Sequence, residues 1–181
     1  MIKIPEGFEQ LSDPESIAMR TQFLHDLGVL ITTWNTFEFL MEFAIFKIVK
    51  ISPVHSSIML GGLQHKAKVN ILKSLLKKEG KDAEVSAIKT ALSYAKRNDL
   101  IHGVPGLNEA DGKIGTAFRS VQDKYQITTR DFSSEEFTKH VYRFCVLADE
   151  AAFALGVDWN NPVIKKEVND YARRAGFALP D

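Results

Sequence analysis

The run Ala95-Lys96-Arg97-Asn98-Asp99-Leu100-Ile101-His102-Gly103 gathers polar, chemistry-bearing side chains in an otherwise apolar helical segment. Arg97 supplies a permanently charged, forked donor that suits a phosphate. His102 can take up a proton near neutral pH and return it, and Asn98 can orient either group. Glu38 is the second unusual residue. It interrupts the apolar stripe of an earlier helix between Trp34 and Met41, where a lone carboxylate is costly to bury. It needs a cationic or hydrogen-bonding partner, and in an antiparallel bundle Arg97 and His102 are the natural candidates. Residues 64–81 add Lys66, Lys68, Lys73, Lys77, Lys78 and Lys81 against Glu79 alone. Lys66, Lys73 and Lys77 fall on one side of an ideal helix and could follow a phosphate backbone; a merely solvated face has the same pattern.

Other signatures are missing from the sequence. It holds no glycine-rich phosphate loop, no cysteine pair, no His-Glu-x-x-His and no Gly-x-Ser-x-Gly. The five histidines, His25, His55, His65, His102 and His140, lack metal-ligand spacing. Neither a metal site nor a cofactor is expected.

Arg97-Asn98 followed by His102, closing a helix of a small all-α chain, resembles the arginine-polar-x(four to six)-histidine signature of the HEPN superfamily. Trp34-x-x-x-Glu38 on the first helix and Leu63-Gln64-His65-Lys66-Ala67-Lys68 on the second extend the likeness over most of residues 20 to 155. The resemblance implies metal-independent cleavage of RNA by a homodimer whose signature residues line a cleft between subunits. His102 would then be the base for a ribose 2′-hydroxyl, Arg97 would hold the scissile phosphate, and Asn98 would position the reacting groups. A cyclic phosphate and a free 5′-hydroxyl are the implied products. Toxin or abortive-infection roles, with a nucleotidyltransferase-type antitoxin as partner, go with such proteins. The same residues also admit a non-catalytic HEPN-like binding module, or a structural one in which Arg97 pairs with Glu38 and His102 caps a helix. On a straight helix Arg97 and His102 stand roughly 140° apart. Their convergence therefore calls for a distortion near Gly103 or for a second subunit.

The elements that must position these groups read as an all-α, four-helix up-and-down bundle with a short C-terminal helix, in one domain spanning 1–181. A first helix spans Asp13 to Lys50, with Asp13 as cap, Pro14 at the first position and an expected break or overhang near Gly28. Its stripe is Leu27, Ile31, Trp34, Met41, Ile45 and Ile48. A second helix runs from Ser52-Pro53 to Gly80, with Gly61-Gly62 as a candidate interruption. It has two apolar faces: Leu60, Leu63, Ala67, Ile71 and Leu75, and opposite them Val69, Leu72 and Leu76, which are available for a subunit interface. The third spans Asp82, as cap, to Ile101. Residues 104–131 break the helical pattern, with a small hairpin expected from Ala117–Val121 and Tyr125–Thr129 around Gln122-Asp123-Lys124. Ser133 and Glu136 form a capping box, and Phe132 with Phe137 a hydrophobic staple, for a fourth helix ending at Gly156. Asn161-Pro162 starts the last helix, within a C-terminal extension covering 157–181.

Composition sets the outer limits. Apolar residues are 45% and charged residues 25% of the 181, the range of a folded domain and not of a disordered tract. Twenty-three basic residues balance 23 acidic ones, so an anionic partner must be met by a local patch. One cysteine, Cys145, points to a reducing compartment. The N-terminal residues lack the apolar core of a signal peptide, and Glu38, Glu42 and Lys47 interrupt the most apolar stretch. A cytoplasmic protein without a membrane span is expected.

Overall fold

The structure, a computed structural model, describes residues 14–95, 104–108, 113–117 and 129–176. It is an all-α fold with one small sheet: helices α1 (Pro14–Val49), α2 (Pro53–Gly61), α3 (His65–Lys78), α4 (Asp82–Ala95), α5 (Ser134–Ala154) and α6 (Pro162–Arg174).

α1 starts on Pro14 as its fixed φ favours; Asp13 lies outside the described residues. The helix runs 36 residues without the break expected at Gly28. One interior glycine costs about 1 kcal/mol, and the burial of Phe23, Leu30, Trp34 and Phe37 on either side far outweighs it. Of the expected stripe Trp34, Met41 and Ile45 are buried, but ahead of Trp34 the buried arc shifts by one residue: Leu30 is closed while Ile31 is exposed. One 18-residue window of α1 is apolar and long enough to cross a membrane, but half of it is buried inside the protein, as happens in a core helix.

The expected second helix is two. It stops at Gly61 and resumes at His65. Ser52 caps α2, its hydroxyl accepting from the His55 N–H at 3.3 Å. α3 ends in a Schellman turn: Gly80 takes φ +73°, the Lys81 N–H donates to Leu76 at 2.9 Å, and the Gly80 N–H to Lys77 at 3.0 Å. Of its two apolar faces, Val69, Leu72 and Leu76 are buried. That face is core and not the subunit interface the sequence suggested, whereas Ile71 on the other face is exposed. α4 buries Val85, Ile88, Ala91 and Ala95. Asp82 is its first helical residue and not its cap, and the expected continuation through Ile101 lies outside the described residues.

Strands β1 (Val104–Asn108), β2 (Lys113–Ala117) and β3 (Thr129–Ser133) form an antiparallel meander in the order β1-β2-β3. The β2–β3 register, Lys113↔Ser133 to Ala117↔Thr129, is centred on Asp123, the middle of the expected turn. Of the expected strand segments, Ala117 ends β2 and Thr129 begins β3, and the others lie outside the described residues. β1 was not expected. Pro105 within it is tolerated because β1 is an edge strand. The capping box forms as read, with the Glu136 N–H on the Ser133 hydroxyl at 3.1 Å and the Ser133 N–H on the Glu136 carboxylate at 2.8 Å. Phe132 meets Phe137 edge-on at 6.3 Å. Asn161 caps α6 by accepting from the Val163 N–H at 3.0 Å.

The chain divides into two compact units, residues 1–32 with 94–145, and residues 33–93 with 146–181. In the first, Phe23 packs on Phe137 with ring centres 5.7 Å apart. Ile114, Val141 and Phe144 of the same unit are fully buried. In the second, Leu40, Phe43, Ala152, Val157, Val168 and Tyr171 form one buried cluster.

Candidate functional site

Arg97, Asn98 and His102 lie outside the described residues. The other singled-out residues, Glu38 and the α3 lysines, belong to the second unit, and there the structure is explicit. Trp34, Glu38 and Glu42 stand at one-turn intervals on α1, and His65 and Lys68 stand one turn apart on α3. Lys68 reaches between the two carboxylates, 2.5 Å from Glu42 Oε1 and 3.5 Å from Glu38 Oε1. Glu38 also accepts from Trp34 Nε1 at 3.3 Å and faces His65 Nδ1 at 3.6 Å. The Trp34 and His65 rings lie 4.7 Å apart. The carboxylate the sequence left seeking a cation meets Lys68 from its own unit; Arg97 and His102, the expected partners, lie outside the described residues.

Lys68 and Glu42 are the most closed ionisable side chains of this network, 9% and 10% exposed against 14% for His65 and 22% for Glu38, and the lysine is kept charged. Burial works against the ammonium, but the hydrogen bond and charge of Glu42, then Glu38, more than offset it and raise its pKa. The buried Tyr171 beside it exchanges a hydrogen bond with Ser56 at 3.3 Å. Burial first, then the charge of Glu42, pushes its phenol above the usual range. In both groups the folded-state pKa is the higher one, so their stabilisation is complete below the unfolded values and is lost as pH rises through the folded ones. The urea midpoint is therefore expected to hold to about pH 9 and to fall above about pH 10. An absorbance titration should show one phenol ionising after the others, and a late phenol that survives in Tyr171→Phe would contradict this.

The geometric result of the network is to fix the rotation of α3. With Lys68 drawn inward, Lys66, Lys73 and Lys77 lie roughly 140–180° around the helix from it. Lys66 and Lys77 are exposed and Lys73 half-exposed. Of the six lysines in the basic run, Lys68 is structural, Lys66, Lys73 and Lys77 form an outward stripe that a polyanion can reach, and Lys78 and Lys81 are exposed beyond it, Lys81 paired with Glu79 at 2.8 Å. A nearby cleft of about 280 Å³ is a poorer anion site. Its charged lining is balanced, Lys47 and Arg174 against Glu167 and Asp170, and Lys47 is already paired with Glu167 at 2.6 Å.

Two groups were missed in the sequence. Glu42 appeared only as an interruption of an apolar run, yet a second carboxylate one turn after Glu38 was the available sign of a buried cation. Asp26, 1% exposed, accepts from Gln22 Nε2 at 2.9 Å and from the Thr138 hydroxyl at 2.5 Å; nothing in its sequence setting marked it.

Compared with family models, with curated proteins and with solved structures, the chain matches none.

Proposed function

We propose that this protein is a metal-independent endoribonuclease of HEPN type, working as a cytoplasmic homodimer. The reading is supported above all by Arg97-Asn98-x-x-x-His102 in the residues that follow α4 of an all-α chain. Arg97 holds the scissile phosphate and offsets the charge that develops on it. His102 removes the proton from the ribose 2′-hydroxyl, whose oxygen attacks phosphorus as the bond to the 5′-oxygen breaks. The products are a cyclic phosphate and a free 5′-hydroxyl. Asn98 positions the reacting groups, and Glu38 acts in support, through Lys68, by holding α3 in register. Lys66, Lys73 and Lys77 line the RNA backbone. A toxin or phage-defence role, with a nucleotidyltransferase-type antitoxin as partner, completes the proposal.

The deciding experiment incubates the purified protein with total RNA in excess chelator, beside His102→Ala. Cleavage is expected to persist in chelator and to drop by roughly 10²–10⁴ in the variant. No cleavage by the wild type leaves a non-catalytic helical module, and equal cleavage by both proteins points to a contaminating nuclease.

A further inference from the structure

A second cleft of the second unit, about 270 Å³, opens at the C-terminal end of α1. Its floor is apolar, made by Phe43, Ile48, Leu76, Leu155 and Ile164, of which Phe43 and Leu76 are closed into the core. Three lysines and three glutamates also line it. Four of these six are committed to each other, Lys47 with Glu167 at 2.6 Å and Lys81 with Glu79 at 2.8 Å. Lys81 answers to Glu79 first and to Glu84 last. Lys50 and Glu84 are left with no ion pair among the described residues. Lys50 is unusual in its backbone as well. It stands just past α1 at φ +58°, its N–H on the Phe46 carbonyl at 2.9 Å. Glycine normally fills this left-handed position, where a Cβ is strained, and Gly80, Gly156 and Gly176 do so at the ends of α3, α5 and α6. Such strain persists where something else fixes the residue. What lysine adds over glycine is an ammonium on the wall of the cleft.

From this we infer that the cleft binds a free α-amino acid with an apolar side chain. Lys50 takes its carboxylate, Glu84 takes its ammonium, and the side chain lies on the floor that Phe43, Leu76 and Ile164 provide. Charge and volume choose this class. A simple carboxylate would face the negative Glu84, and a simple amine the positive Lys50; a ligand carrying both charges answers both. Asp170 and Arg174 of the 280 Å³ cleft, by contrast, stand one turn apart on α6 and offset each other. The volume lies just under the roughly 300 Å³ at which pockets for drug-sized ligands begin, so it suits one amino acid and not a peptide or a nucleotide. The site belongs to the second unit and uses neither Arg97 nor His102. It therefore stands apart from the nuclease reading, and its test reads heat and not cleavage.

The whole chain is titrated calorimetrically with L-leucine and with L-phenylalanine. Binding is expected with a dissociation constant on the order of 0.1–1 mM, as about nine non-hydrogen atoms give at ordinary efficiency. 4-Methylpentanoate and 3-methylbutylamine keep the leucine side chain with one charge each, and should bind about tenfold more weakly or worse. Lys50→Asn and Glu84→Gln should each weaken leucine by about the same factor, while Lys89→Gln, exposed on α4 outside the lining, should bind as the wild type does. Lys50→Asn is the decisive variant. Asparagine tolerates the left-handed backbone, so its urea midpoint should match or exceed that of the wild type while binding is lost. A wild type that binds neither amino acid overturns the inference. So does 4-methylpentanoate binding as tightly as leucine, or wild-type affinity in either Lys50→Asn or Glu84→Gln.

Discussion

Lys68→Met is expected to destabilise the protein by about 3–5 kcal/mol, the loss found when one partner of a buried ion pair is removed. Methionine fills the aliphatic space of the lysine, so the deficit is electrostatic and not a cavity. Glu42, its side chain 10% exposed, loses its short hydrogen bond, and Glu38 loses its ion pair with Lys68 at 3.5 Å. Either the carboxylates ionise without compensation or they take up protons, and both routes disfavour the folded state. Urea unfolding measures the loss. Lys66→Met on the outward face serves as control and should stay within about 0.5 kcal/mol of wild type. The double variant Lys68→Met with Glu42→Met should recover most of the deficit, because a buried pair replaced by apolar groups of similar volume is often neutral. If Lys68→Met unfolds within about 1 kcal/mol of wild type, the network does not hold α3 in place.

How much of this was legible depends on the range over which each signal acts. Local backbone chemistry was read well: the Ser133–Glu136 box, the Asn161-Pro162 start, and the stops at Gly80 and Gly156 are fixed by side chains within a few residues of the backbone they satisfy. The helix interruption at Gly61-Gly62 is of the same kind, since two adjacent glycines add their costs. Gly28 shows where the local argument fails, because the apolar burial flanking it overrides a single weak residue. Which face of α3 is inside was not legible. Both faces repeat with helical period, and the choice falls to Lys68, whose partners Glu38 and Glu42 lie 30 and 26 residues away. Lys68 as a partner of Glu38 is illegible for the same reason: a carboxylate in an apolar stripe needs a cation, but no local signal says which helix supplies it. The signature residues carry the opposite kind of signal, legible as a spacing before any fold is known.

On the proposed reaction, Arg97→Ala is expected to lower the turnover of RNA by roughly 10²–10³, the range seen when one preorganised donor to a developing oxyanion is lost. Arg97→Lys separates two roles. If the residue supplied charge alone, lysine would restore most of the rate. A planar fork that holds two phosphate oxygens cannot be reproduced by a point charge, so Arg97→Lys should remain well below wild type, nearer to the alanine variant. Combining Arg97→Ala with His102→Ala should cost far less than the product of the single losses, because groups that act on one phosphodiester fail together. The outward lysines must behave differently. Changing Lys66, Lys73 and Lys77 to glutamine should weaken RNA binding with little sequence preference and flatten its dependence on salt, while leaving single-turnover cleavage at saturation nearly unchanged. Full restoration by Arg97→Lys would reduce Arg97 to an electrostatic anchor. A saturating rate lost along with the lysines would place the chemistry on α3, away from Arg97 and His102.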